Sequence, residues 1–202
     1  VPKVWDQAGN FETVLDTVTF TYDEYAASPE RPDSLTGSPT NDYHFFNTFS
    51  AITGTAQDNT GGKLDNIYIL VRLFSAGTTS YWNGNNWVGT EPSWPTVTPQ
   101  DGTFDTATES WTFTTSGDFW TGNQNKDFAV STMARDKALN YEVTLTSNSF
   151  VYDVIKPTAT ITYPQNNYWL SAASRIEGTC LDDSPGRMAD VEVRIRRSTD
   201  NA

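Results

Sequence analysis

The 202-residue sequence contains only one cysteine and one histidine. A single cysteine excludes an intrachain disulfide, and one Cys with one His provides too few ligands for a structural zinc site. Positive charge is also scarce, because 13 Lys and Arg stand against 25 Asp and Glu. The resulting net charge of -12 disfavours nucleic acid as a partner. The longest apolar run, residues 67–73, is interrupted by Arg72 and is too short to cross a bilayer.

Signals for catalysis are equally few. His44 stands beside two phenylalanines, and the sequence has no Gly-x-Ser-x-Gly nucleophile elbow. Adjacent acids such as Asp182 and Asp183 are more typical of a solvated loop than of an acid–base couple. We therefore expect no enzymatic activity.

What the sequence does contain is a strong β signal. Aromatic residues make up 13 %, and side chains of this kind pack well on a pleated surface. Period-two alternation predicts strands at residues 67–71, 111–113, 128–130 and 143–145. Turn-forming clusters occur at residues 58–62, 83–86, 121–125 and 182–186. No stretch has helical periodicity, so the prediction is an all-β chain whose core contains Ile52, Ile67, Ile69, Val71, Trp111, Phe113, Phe128 and Val130.

Three segments of the sequence recur in the same order. WDQAGNFETVLDTVTFTYD (5–23) matches RDKALNYEVTLTSNSFVYD (135–153), SPTNDY (38–43) matches YPQNNY (163–168), and ITGTAQDNTGGKLDNIYILVRL (52–73) matches IEGTCLDDSPGRMADVEVRIRR (176–197). The matches predict one complete repeat at residues 24–153. Residues 1–23 then form the F and G strands of a preceding repeat, and residues 154–202 form the A, B and C strands of a following one. A complete repeat of this length is predicted to be a sandwich of seven or nine strands.

The repeated motifs resemble the bacterial Ig-like repeats of very large surface proteins. The resemblance rests on the aromatic-x-Tyr-Asp end, the Pro-x-Asn and Ile-x-Gly-Thr-x-x-Asp elements, the Trp-rich hairpin at residues 81–87 and the closing Ala-x-Asp-x-Ala-x-Asn element. It implies immunoglobulin-like antiparallel β-sandwich repeats in tandem, on the cell surface or outside the cell. The sequence departs from the pattern at Leu139, which replaces the usual glycine of a tight turn.

Members of that group are passive rods in adhesins, stalks, sheaths and filaments. The resemblance therefore implies a structural repeat that spaces or builds an elongated assembly, with neighbouring copies of the repeat as its partners. An adhesin-type module that binds a glycan or protein ligand, and an accessory domain of a secreted hydrolase, remain as alternatives. The two partial repeats predict either a segment of a continuous array or head-to-tail docking between subunits.

Calcium is the metal that the acidic loops favour. In an Ig-type sandwich the B–C and F–G loops share one pole, which predicts that Asp23, Asp58 and Asp136 lie near one junction between repeats. Asp153 and Asp182 would take equivalent places at the next junction. Carboxylate oxygens that converge there would suit calcium. The alternative is that these residues form Asx turns and bond to their own loops.

Trp82, Trp87, Trp94 and Trp120 fall in predicted loops or hairpins, where flat rings could stack on sugars. Alternatively, Asn83-Gly84 forms a tight turn and the flanking tryptophans close a hairpin over the core. Cys180 aligns with Ala56 and is predicted to be a small buried side chain, with a thiol for linkage between subunits as the alternative.

Overall fold

The computed structural model describes residues 6–8, 17–22, 33–40, 44–46, 50–59, 62–115, 117–167, 169–183 and 186–196. Within these ranges the chain is nearly all β, which confirms the all-β part of the predicted fold class. The strands are β1 (Asp33–Ser38), β2 (His44–Phe46), β3 (Ala51–Gln57), β4 (Leu64–Ser75), β5 (Thr78–Trp82), β6 (Trp87–Val88), β7 (Thr98–Pro99), β8 (Thr108–Thr114), β9 (Lys126–Asp136), β10 (Ser147–Tyr152), β11 (Thr158–Tyr163) and β12 (Glu177–Leu181). One helical turn, α1 (Gly117–Trp120), lies between β8 and β9.

The first ten strands form two sheets. One sheet has the order β1-β3-β8-β7, and the other has the order β2-β10-β9-β4-β5-β6. All pairs are antiparallel except β2 with β10. Ten strands exceed the seven or nine predicted, because β2, β6 and β7 are additional pieces of two or three residues. The second sheet is built on the long β4–β9 pair.

Side chains from both sheets meet in one hydrophobic core, which makes the arrangement sandwich-like. In β3, Ile52 and Ala56 are buried while the threonines between them face outward, as period-two alternation requires. Seven of the eight predicted core residues are buried; Phe113 is only partly buried. The core prediction is thereby confirmed for Ile52, Ile67, Ile69, Val71, Trp111, Phe128 and Val130.

The strand predicted at residues 143–145 is wrong. After β9 the chain turns at Asp136, and Glu142 N still donates a backbone hydrogen bond to Ala134 O at 3.0 Å. Beyond Glu142 the segment leaves β9, and Val143 and Leu145 are exposed. Two apolar residues in alternation do not form a strand when no neighbouring backbone supplies the ladder hydrogen bonds.

A third, two-stranded sheet is formed by β11 and β12. Its geometry repeats that of the β1–β3 pair. Thr36 faces Gly54 in β1–β3 and Ile161 faces Gly178 in β11–β12, and each pair of strands has a register shift directly after that position. Both leading strands end at a cis X-Pro bond. The side chains of β12, and all but the last residue of β11, are exposed.

Two further segments carry exposed apolar residues. Val18, Phe20 and Tyr22 alternate in the segment 17–22, and Val191, Val193 and Ile195 alternate in the segment 186–196. Within the described ranges, no helix combines the length and the apolar character needed to cross a bilayer.

Candidate functional site

The tryptophan-rich hairpin closes one end of the sandwich with a cluster of rings. Trp82 and Trp87 are register partners on β5 and β6, and their ring centroids lie 5.5 Å apart. Phe119 of α1 lies 5.0 Å from Trp82 and 5.1 Å from Trp87, and Trp120 lies 4.5 Å from Phe119. The predicted turn at Asn83 is present, because its Oδ1 accepts hydrogen bonds from two backbone N–H groups of the turn. The cluster therefore belongs to the core.

These contacts limit what the tryptophans offer to a ligand. Trp82 is only 4 % exposed, so neither face of its ring is open to a sugar. Trp87 and Trp120 are half-buried and donate their indole N–H groups to Phe119 O and Thr115 Oγ1. This packing agrees with the alternative interpretation, in which the tryptophans close a hairpin over the core.

Trp94 lies apart from the ring cluster. It follows β6 in an irregular segment, is half-buried, and donates its indole N–H to Glu91 Oε1 at 2.9 Å. Sugar binding at Trp87, Trp94 and Trp120 stays a prediction.

The predicted calcium ligands of the first junction bond to their own loops. Asp58 Oδ1 accepts the N–H of Asn59 at 2.8 Å. Asp136 is buried, and its two oxygens accept the backbone N–H and the side-chain amide of Asn140 at 2.8 and 2.7 Å. These are local bonds within a loop, as the alternative interpretation described, although none of them spans the two residues of an Asx turn. Asp23, the third predicted ligand, lies outside the described residues.

The predicted ligands of the second junction lie close together. Asp153 Oδ1 accepts the N–H of Ile155, and Asp182 Oδ1 accepts the N–H of Asp183. Their second oxygens converge on Gly186, where an added Cβ would lie 2.7 Å from Asp182 Oδ2 and 2.9 Å from Asp153 Oδ2. The carbonyl of Asp183 points to the same place, 2.5 Å from that Cβ. Hard oxygens in this arrangement suit calcium, and the metal stays a prediction.

A third acidic group was missed by the sequence analysis. The carboxylates of Asp101 and Asp105, which precede β8, and of Glu109, which is the second residue of β8, lie within 4.8 Å of one another. Their regular spacing, three residues between successive acids, was the available signal. Glu109 Oε1 accepts three hydrogen bonds, from Asp105 N and from the N–H and hydroxyl of Thr106. The buried Glu109 carboxylate therefore stabilises the loop that precedes β8 through bonds to Asp105 and Thr106.

These hydrogen bonds favour the ionised form of the Glu109 carboxyl. Desolvation raises the pKa of this carboxyl, but the hydrogen bonds from the Thr106 side chain and from the backbone of Thr106 and Asp105 favour the ionised form. The bonds outweigh the burial, so the pKa of Glu109 lies below the usual range.

An apolar groove of about 480 Å³ opens on the third sheet. It lies between the β11–β12 sheet and the segment 186–196. Its apolar lining is formed by Ala159, Ile161, Ile176, Cys180, Val191 and Val193.

Cys180 is exposed in this groove, so the prediction of a buried side chain is wrong. The residue takes its expected place on β12, where it is the register partner of Ala159. None of the described residues buries its side chain, whereas Ala56, the residue with which Cys180 aligns, is covered by the core and 2 % exposed. The backbone of His44 lies in β2, and its side chain is outside the description.

The chain matches no protein-family profile, and none of the curated proteins is significantly similar to it.

Proposed function

We propose that the chain is part of a tandem array of Ig-like β-sandwich repeats that builds an elongated, extracellular rod or filament. The complete repeat corresponds to residues 24–153, and the β11–β12 sheet belongs to the next one. The proposed role is mechanical and involves no catalytic step.

The observation that carries the proposal is the equivalence of the β1–β3 and β11–β12 pairs. Both have the same register and the same register shift. Gly54 and Gly178 occupy the same position, and a Cβ at Gly178 would lie 2.6 Å from Thr160 O on the neighbouring strand. A Cβ at Gly54 would likewise overlap the carbonyl of Leu35. Two strand pairs that need glycine at the same place for the same steric reason support a duplicated unit.

The acidic loops support the same conclusion. Asp58 and Asp182 each accept the N–H of the next residue through Oδ1. The second oxygen of each aspartate lies beside a glycine four residues later, Gly62 for Asp58 and Gly186 for Asp182. A loop that recurs with its glycine and its hydrogen bond is better explained by repetition of a structural unit than by an isolated ligand site.

The packing of the tryptophans favours a structural role over an adhesin role. A tryptophan that stacks on a sugar needs an exposed ring face, and Trp82 has none. A glycan array probed with the whole chain separates the two functions: the mechanical proposal expects no binding, and saturable binding lost on Trp94→Ala would support the adhesin alternative.

Small-angle X-ray scattering of the whole chain tests the proposed rod. A compact 202-residue protein has a radius of gyration of about 17 Å. Extrapolated to zero concentration, an elongated arrangement of successive repeats should exceed that value by at least about a fifth. The Kratky plot must at the same time indicate folded domains. A folded protein with a radius near the compact value would contradict the proposal.

A further inference from the structure

Strand β1 has less backbone support than the last strand of the same unit. It lies at the edge of the four-stranded sheet and pairs with β3 alone, whereas β10 lies between β2 and β9 in the other sheet. The β1–β3 ladder also shifts register between Thr36 and Ser38. A strand with a ladder on one side only has fewer backbone hydrogen bonds to break before it leaves the sheet.

In the proposed array, β1 and β10 are the strands through which tension enters and leaves the complete unit. Residues 1–23 and 154–202 belong to the neighbouring repeats, so the chain reaches the unit at β1 and continues after β10. A pull along the array acts on these two strands, and β1 is the one with the weaker ladder. The resistance of the unit to tension then depends on what else holds β1.

Buried side chains bind the first part of β1 to the opposite sheet. Ser34 Oγ donates a hydrogen bond to Glu142 Oε2 at 2.5 Å and lies 2.8 Å from Thr132 Oγ1 of β9. Glu142 is itself fixed to β9, because its Oε2 accepts the N–H of Ala134 at 2.9 Å and its own N–H donates to Ala134 O at 3.0 Å. Ser34, Thr132 and Glu142 are all buried. These bonds join the two sheets where β1 begins.

A second set of bonds holds the other end of β1. Asn148 of β10 donates hydrogen bonds from its side-chain amide to Thr36 O and to Pro39 O, each at 2.8 Å. Both acceptors are main-chain carbonyls, so the amide holds the backbone of β1 and of the residue that follows it. Asn148 is buried as well. The strand is therefore tied to β9 near its first residue and to β10 near its last.

Burial makes these bonds costly to break. A buried donor or acceptor that loses its partner bears its full desolvation cost, and a bond to a carboxylate is stronger than one between neutral groups. Because the bonds run from one sheet to the other, β1 cannot slide along β3 or lift away from it while they remain. Ties at both ends oppose both movements.

We propose that Ser34, Thr132, Glu142 and Asn148 form a β1 anchor, which resists tension along the array by holding the first strand of the unit to the sheet that contains its last strand. This deepens the proposed mechanical function, on which it rests, by naming the contacts that bear the load. Tension then passes from β1 directly to β9 and β10.

The anchor belongs to this unit and is not repeated in full. At the offset of 130 residues, Glu142 matches Glu12, whereas Asn148 matches Val18, whose side chain has no hydrogen-bond donor. The preceding repeat therefore lacks the amide half of the anchor.

Single-molecule pulling of the whole chain under constant load tests the anchor. With handles at the two ends of the chain, Asn148→Ala and, independently, Ser34→Ala should shorten the lifetime of the complete unit about tenfold or more, because each removes buried bonds that otherwise break during forced unfolding. Asn123→Ala is the matched control, since the Asn123 amide donates a similar bond to Phe119 O at 3.1 Å and lies outside the anchor. The control should keep the parent lifetime to within about twofold.

A second direction of pulling separates the anchor from a general effect on stability. Handles at Asn85→Cys and Gln124→Cys, in a Cys180→Ala background, load two exposed turns, and β1 lies outside the stretch between them. Anchor bonds that stay intact in that transition state change both states alike, so Asn148→Ala should alter this lifetime less than about twofold. Equal shortening in both directions would overturn the proposal.

The parent protein offers a test that needs no substitution in the anchor. An end-to-end pull should unfold the complete unit in a single step, because β1 cannot leave before the anchor breaks. A short extension step that releases β1 ahead of the rest, or an end-to-end lifetime that neither anchor variant changes, would contradict the proposal. A compact protein in the scattering experiment would overturn the rod and leave the anchor measurable by pulling, so the two proposals fail separately.

Discussion

Gly54 of β3 lies directly against the indole ring of Trp111, its register partner on β8. A Cβ at this glycine would overlap the ring on one side and the carbonyl of Leu35 on the other. Trp111 is fully buried, and the carbonyl is part of a strand backbone, so neither neighbour can move aside easily. The close packing of the four-stranded sheet depends on the missing side chain.

Gly54→Ala should therefore destabilise the fold by about 2–3 kcal/mol, the upper part of the usual range for overpacking. Urea unfolding followed by tryptophan fluorescence measures the change. Gly37→Ala on β1 is the matched control, because its Cβ would lie at an ordinary 3.7 Å from Thr53 O. Equal stabilities of the two variants would contradict the steric account of Gly54.

Leu139 occupies a backbone conformation that favours glycine. Its φ is 71°, and the side chain is exposed, so it gains little from burial. An L-residue in the left-handed region costs about 1–2 kcal/mol. Leu139→Gly should therefore be more stable than Leu139→Ala, which keeps the Cβ, by about 0.5–1 kcal/mol once the greater freedom of unfolded glycine is included. Thermal unfolding of both variants measures the difference, and an alanine variant as stable as the glycine variant would refute the strain.

Glu109 makes stability depend on pH. Its pKa is lower in the folded state, so the ionised carboxylate contributes stability that is complete above the unfolded-state pKa and is lost as pH falls through the folded-state pKa. Glu109→Gln should cost about 1–2 kcal/mol at pH 7, and the gap to the parent protein should narrow below pH of about 4.3. Glu91→Gln at an exposed site is the control. A gap as wide at pH 3 as at pH 7 would argue against this role.

Calcium should bind at the loop where Asp153 and Asp182 converge. At about 1 mM the ion should raise stability by about 0.4–1.4 kcal/mol, as in weak extracellular sites, and chelator should reverse the effect. Asp182→Asn should remove the response. Asp190→Asn is the control, because Asp190 is exposed and, like Asp182, accepts the backbone N–H of the next residue. Isothermal titration that detects no calcium heat would end the prediction.

The features that depend on the alternation of apolar and polar residues could be predicted from the sequence. Alternation placed Ile67, Ile69 and Val71 on one face of a strand, and all three are buried. The same pattern failed at Val143 and Leu145, because alternation says which side chains share a face and says nothing about whether a partner strand is present.

The candidate site followed the same division. Matching segments related Asp153 and Asp182 to Asp23 and Asp58 and predicted that the two lie at one junction; the coordinates add which of their oxygens face Gly186. The partners of the two Asp136 oxygens were out of reach of the sequence, because they depend on the path of its turn.

By itself the sequence determined the all-β class and seven residues of the core, since side-chain alternation is a local property of the chain. Tertiary structure decided whether each apolar face is covered. Ala56 and Cys180 align, but one is buried and the other exposed, because strands distant in sequence pack over Ala56, whereas none of the residues that the structure describes buries Cys180.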